Sequence, residues 1–153
     1  MSDVKALANA FLAAYQVFGE SFHYTGEQLD ERRASFFERI QDSAFREQET
    51  TYLARINSTP VAAATIRFEG GLALLGGAAT VPTHRSRKIY STLLRRRLED
   101  ARARGYHVSA IYAGPMSRRV VGHYGFKEYG RSQVYGWMPE IDMDVIRSLV
   151  PND

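Results

Sequence analysis

Val81-Pro82-Thr83-His84-Arg85-Ser86-Arg87-Lys88-Ile89-Tyr90-Ser91, running on into Thr92-Leu93-Leu94, is the stretch on which the reading of this chain turns. It follows a β-rich apolar run and leads into apolar residues at helical spacing. That is the layout of a loop that ends a strand and opens a helix. Such a loop aims backbone N–H groups and the positive end of a helix dipole at an anion. A phosphate-bearing cofactor suits that field. The glycines that let backbone approach phosphate closely are missing here.

The charge distribution points to the same place. Net charge is +3 over 153 residues, but residues 85–104 hold eight Lys/Arg against Glu99 and Asp100, a local balance of +6. The rest of the chain carries twelve basic and fifteen acidic residues, a balance of −3. A concentrated positive field favours an anionic ligand near the helix-opening loop. Arg95, Arg96, Arg102 and Arg104 read as a solvated helix face, with Asp100 and Arg104 spaced for surface pairing. Hydrophobic residues at 44% and charged residues at 24% are ordinary for a globular domain. Cysteine is absent, which removes disulfides, thiolate nucleophiles and zinc–thiolate sites. No apolar run approaches the roughly 20 residues of a membrane span, so no membrane partner is expected. Met1-Ser2-Asp3-Val4-Lys5 has no signal-peptide character, and a cytoplasmic location is the expectation.

Outward from the loop, the periodicity predicts helices from Asp3 to about Phe18 and from Thr25 or Gly26 to about Ile40, with Leu29, Phe36, Phe37 and Ile40 inward. Strands follow at Thr51–Ile56, Val61–Phe68 and Leu72–Thr80, joined by turn clusters, as an antiparallel meander. Gly76-Gly77 inside the last strand suggests a bulge. The helix after the loop runs to about Arg104 and is stopped by Gly105. Val108–Ala113 is a short strand, so strand, helix and strand form a right-handed βαβ crossover. Ser117 to about Gly122 is a short helix with Ser117 as N-cap. Phe126–Tyr129 and Gln133–Trp137 read as a closing hairpin. One domain over 1–153 is expected, with N-terminal helices at 3–43, a core at 50–137 and a tail helix at 140–150.

This order resembles the GNAT superfamily of acyl-CoA-dependent N-acetyltransferases. The residues that carry it are Ala79-Thr80-Val81-Pro82 followed by Arg85, the Leu93-Leu94 helix, Gly105, the strand to Ala113, and Gly125-Phe126. The resemblance implies an α/β (α+β) fold: a mixed sheet with an antiparallel meander, a βαβ crossover and a C-terminal hairpin. It implies acetyl transfer from acetyl-CoA, as co-substrate, to a primary amine of a small molecule or protein. The pantetheine arm would lie between the strand ending at Thr80-Val81 and the strand ending near Ala113. The pyrophosphate would sit on Arg85, Ser86, Arg87, Lys88, Ile89, Tyr90 and Ser91. Backbone N–H near Thr80-Val81 would hold the oxyanion. A homodimer through the C-terminal hairpin and tail is compatible with it.

The departures from the family pattern matter as much. The two loop glycines of R/Q-x-x-G-x-G/A are replaced by Lys88 and Tyr90. Lys88 could supply an ammonium to the pyrophosphate, whereas a Tyr90 phenol would narrow the cofactor groove. The implied outcome is weakened acyl-CoA binding. Four residues before Gly125, where many relatives place an acid tyrosine, stands Val121. Tyr124, with His123 beside it, is the candidate general acid on a nearby helix face. Relatives begin with a strand, and this sequence begins in a helix. His23, His84 and His107 read as loop or strand-end residues, and no histidine–carboxylate cluster suggests a metal. Two alternatives stand beside the enzyme. One is a catalytically silent module binding CoA or a protein. The other, less favoured, is nucleic-acid binding through Arg85, Arg87, Lys88, Arg95, Arg96 and Arg97.

Overall fold

β1 (Glu49–Ile56), β2 (Thr59–Glu69) and β3 (Leu72–Thr80) form the expected antiparallel meander. β4 (Val108–Ile111) joins β3 in parallel, giving the sheet order β1-β2-β3-β4. The computed structural model describes residues 2–133 and 135. Asn57 and Ser58, at φ 48° and 69°, make the two-residue turn whose left-handed backbone matches the twist of a hairpin.

Helices cover both faces of the sheet. They are α1 (Ser2–Phe22), α2 (Gly26–Arg39), α3 (Ser43–Gln48), α4 (Ile89–Ala103) and α5 (Pro115–His123). The period of two along β2 sorts its side chains. Val61 and Ala63 pack with Ala14, Val17 and Phe18 of α1. Ala62 and Ala64 pack with Leu93 of α4, while Ile66 and Phe68 pack with Leu94 and Ala101. Small residues in the middle of β2 let both helices approach closely. Thr25 and Gln28 form a reciprocal capping box at the start of α2.

β3 carries the decisive irregularity. Ala64 faces Ala78 but Ile66 faces Leu75, so Thr65 alone opposes Gly76 and Gly77. A Cβ on Gly76 would overlap the Thr65 hydroxyl, which is why this position is glycine. The extra residue reverses the alternation. Before it, Ala73 and Leu75 pack on the α4 side; after it, Ala79 and Val81 pack on the α1 side. Pairing with β4 ends at Leu75 and Ile111. The last five residues of β3 therefore have β2 on one edge and no β4 partner on the other.

Both later helices end in the same manner. Gly105, at φ 84°, follows α4, as the sequence predicts. Gly125, at φ 85°, follows α5, with Phe126 N–H on the Val121 carbonyl and Gly125 N–H on the Gly122 carbonyl. Phe126 then packs back with Val121. Gly125-Phe126 is thus a helix stop with its hydrophobic clasp.

Four expectations change. α3 was not foreseen; Asp42 starts it by accepting from the Ala44 N–H. Phe37 is exposed, because Phe36 and Ile40 occupy the inward face one turn apart. Pro115, which needs no N–H partner in a first turn, starts α5 with Gly114 as cap, and the Ser117 hydroxyl donates to the Gly114 carbonyl. The closing hairpin is not formed in its described part: Phe126–Tyr129 carries no strand. Residues 127–133 are all exposed, and Tyr129 is their one large apolar side chain, so no alternating face can be buried. Residues 134 and 136–137 of its second arm, and the tail helix at 140–150, lie outside the described residues.

Gly76→Ala should lower the unfolding free energy by about 1–3 kcal/mol, the range for overpacking. Urea denaturation measures it, and adding Thr65→Ala should recover most of the loss. An unchanged midpoint in the single variant would contradict the close approach.

Candidate functional site

The loop after β3 is built from local bonds. Pro82–His84 make one 3-10 turn, with the His84 N–H on the Val81 carbonyl at 2.9 Å. The Arg85 Nε donates back to the Thr80 carbonyl at 3.2 Å, folding the loop against the end of β3. Ser86 and Lys88 lie at φ 62° and 60°. Lys88 is the N-cap of α4 and uses the left-handed backbone that glycine would adopt freely. Its carbonyl accepts from the Thr92 N–H, so the Ile89, Tyr90 and Ser91 amides open the helix without intrahelical partners. No acidic side chain stands in that first turn. The fifteen-residue helix aims its positive end here.

These amides border a cavity of about 270 Å³ lined by Thr80, His84, Arg85, Ser86, Lys88, Ile89, Tyr90, Ser91 and Val120. Seven of the nine predicted cofactor residues meet there. Val81 does not line it: the side chain is buried against α1, and the amide donates to the Val61 carbonyl at 2.9 Å. Antiparallel alternation then turns the Thr80 and Ala78 amides toward the open edge. Arg87 is exposed outside the lining. Tyr90 does not close the groove. It is half-buried, packed with the core cluster that holds Leu94 and Val121.

α5 completes the rim. Val121 points into the core, whereas Val120 lines the cavity. Tyr124, one turn after Val120, donates its phenol to the Ser91 carbonyl at 3.2 Å. Tyr124 therefore shares the face of Val120, not that of Val121. His123 is exposed, and its Nδ1 donates to the Arg119 carbonyl of its own helix at 2.7 Å. His84 and Val120 were missed as lining residues. Only the fold, by laying α5 across the α4 entrance, brings Val120 in.

The arginines of α4 divide sharply. Arg95 pairs with Glu99 and Arg96 with Asp100 on the surface. Arg104 lies over the Phe68 ring, 4.5 Å from its centre, in place of the expected Asp100 pairing. Asp100 instead accepts from Tyr52 at 2.8 Å. Arg97 is completely buried. Burial holds its pKa below the usual arginine range, opposed by the facing Tyr90 and Tyr52 phenols. Burial and the Asp100 bond push the Tyr52 phenol upward. With Arg97 inside and its neighbours paired, the helix offers no continuous basic stripe to a nucleic acid. Among the described residues, no helix is long and apolar enough to cross a membrane.

A free strand edge beside a helix start with unpartnered amides fits the acyl-transfer fold expected from the sequence. The acetyltransferase (GNAT) domain profile matches residues 5–129, and the chain belongs to the GNAT acetyltransferase family. Solved structures share the fold. The aminoglycoside N-acetyltransferase AAC(6')-Iy, crystallised with a CoA bisubstrate analogue, superposes with a TM-score of 0.64 at 17% identity, over 82% of this chain and 90% of that one. A predicted acetyltransferase from Clostridium acetobutylicum, crystallised with acetyl-CoA, gives 0.61 at 20% identity, over 88% and 90%. The 6'-N-acetyltransferase AAC(6')-IG from Acinetobacter haemolyticus gives 0.61 at 17% identity, over 88% and 94%. No curated protein matches the sequence.

Lys88→Gly should raise stability by up to about 1 kcal/mol, because relief of the left-handed backbone exceeds the added freedom of the unfolded chain. A urea midpoint that falls would contradict the strain.

Proposed function

We propose that the protein transfers the acetyl group of acetyl-CoA to a primary amine of a small molecule or protein. One observation carries the proposal: the partnerless amides of α4 and the open edge of β3 border the same gap. The residues suit the co-substrate. The Ile89–Ser91 amides would take the pyrophosphate, with Arg85 and Lys88 adding charge. The free edge of β3 would bond the pantetheine amides as an added strand does.

Acetyl-CoA supplies an activated acyl group, so the protein itself needs no covalent intermediate. The acceptor amine attacks as the free base; its nitrogen bonds to the carbonyl carbon, the C–S bond breaks, and the amine proton is lost to solvent. The Thr80 amide is the proposed donor to the developing oxyanion, since the Val81 amide is already bonded. Tyr124 is the proposed general acid for the departing thiolate, next to the cavity through Ser91. The His123 ring is directed to its own helix, which supports a secondary part at most. The Tyr124–Ser91 bond must open for proton transfer, and this specific feature favours the silent-module reading as the rival.

Acetyl-CoA should raise the melting temperature, and an amine panel should release free CoA. Binding without CoA release would select the silent module, and no thermal shift would reject the site. Tyr124→Phe should lower kcat by about 100-fold with little change in the acetyl-CoA KM, as loss of a general acid does. Unchanged turnover would remove Tyr124 from the chemistry.

A further inference from the structure

We infer that Arg97 is a positioning residue for the acyl-CoA site: one buried guanidinium ties α4, at the Leu93 carbonyl, to the β3 bulge, at the Thr65 carbonyl. The inference rests on the proposed function and adds to it a residue that touches neither co-substrate.

Arg97 sits on α4 with Tyr90 seven residues before it and Leu94 and Ala101 on the same inward face. Its Nε donates to the Leu93 carbonyl at 3.3 Å and its Nη1 to the Thr65 carbonyl at 3.0 Å. Thr65 is the residue that opposes Gly76-Gly77. The rings of Tyr90 and Tyr52 pack against the same core cluster as Leu94, and Tyr52 is itself held by Asp100. Nη2 has no partner among the described residues.

Packing alone does not account for this arrangement. A buried, incompletely bonded cation is costly, and an apolar side chain of similar volume fills such a space at least as well. The contacts of Arg97 instead fall on the two features that open the cavity. Thr65 marks where β3 changes face, which leaves its last residues free of β4. Leu93 belongs to α4, the helix whose first amides face the cavity. A single rigid fork with several donors can hold both at a set distance. Loss of the fork should let the strand edge and helix start move relative to each other, which weakens capture of a long ligand spanning them.

The test uses Arg97→Met, which keeps volume, and Arg97→Lys, which keeps charge and reach to Thr65. Apo melting temperature, the shift produced by CoA alone, and kcat and KM for acetyl-CoA are measured well below each melting point. Arg97→Met should raise the acetyl-CoA KM by about tenfold, equivalent to about 1.4 kcal/mol of binding, shrink the CoA shift, and change kcat by less than about threefold. Arg97→Lys should recover most of the CoA shift. A folded Arg97→Met protein with unchanged KM and CoA shift overturns the inference, even if its apo melting point drops. Should Arg97→Met not fold, Arg97→Gln, too short to reach Thr65, should raise KM about threefold; an unchanged KM there also overturns it. Wild-type protein indifferent to CoA would defeat the proposed function itself, a separate outcome.

Discussion

The structure depends on the close approach of Thr65 to Gly76. Two residues of β3 must fit opposite one residue of β2, and only a side chain of one hydrogen leaves room for the Thr65 hydroxyl. The consequences spread from there. The strand reverses its faces, so Val81 enters the core under α1. Pairing with β4 stops at Leu75, and a free strand edge is left beside the helix entrance. A regular strand would have continued along β4 and closed the gap in which a pantetheine arm is proposed to lie.

The second half of the candidate site is a helix-opening loop made without glycine. Lys88 keeps the left-handed backbone that glycine would have supplied, at a strain of about 1–2 kcal/mol. Tyr90 borders the cavity without closing it, because its ring finds apolar partners in the core. Both residues thus leave the helix entrance open to the cavity. Closeness to an anion is given up only where a Cβ intervenes, and Arg85 and Lys88 put positive charge at that place.

Much of the fold was legible. Meander, crossover, α4 and its Gly105 stop all followed from period, turn residues and one helix-ending glycine. The candidate cavity was legible in outline, since seven of the nine cofactor candidates line it, six of them from the loop and helix start. Arg97 was legible only in part as different from Arg95 and Arg96. Its spacing of four from Leu93 and from Ala101 put it on the inward face, but only the packed sheet shows a guanidinium wholly buried there and bonded to Thr65.

By itself the sequence determined the local chemistry: where helices start and stop, where charge concentrates, and which turn lacks its glycines. These depend on residues within a turn or two of one another, and short-range physics settles them. Only the tertiary structure decided which amide at Thr80-Val81 is free, that Tyr124 reaches Ser91, and that Arg97 of α4 reaches Thr65 at the bulge. Each of those links elements that burial and strand register bring together, and neither quantity is fixed until the sheet has formed.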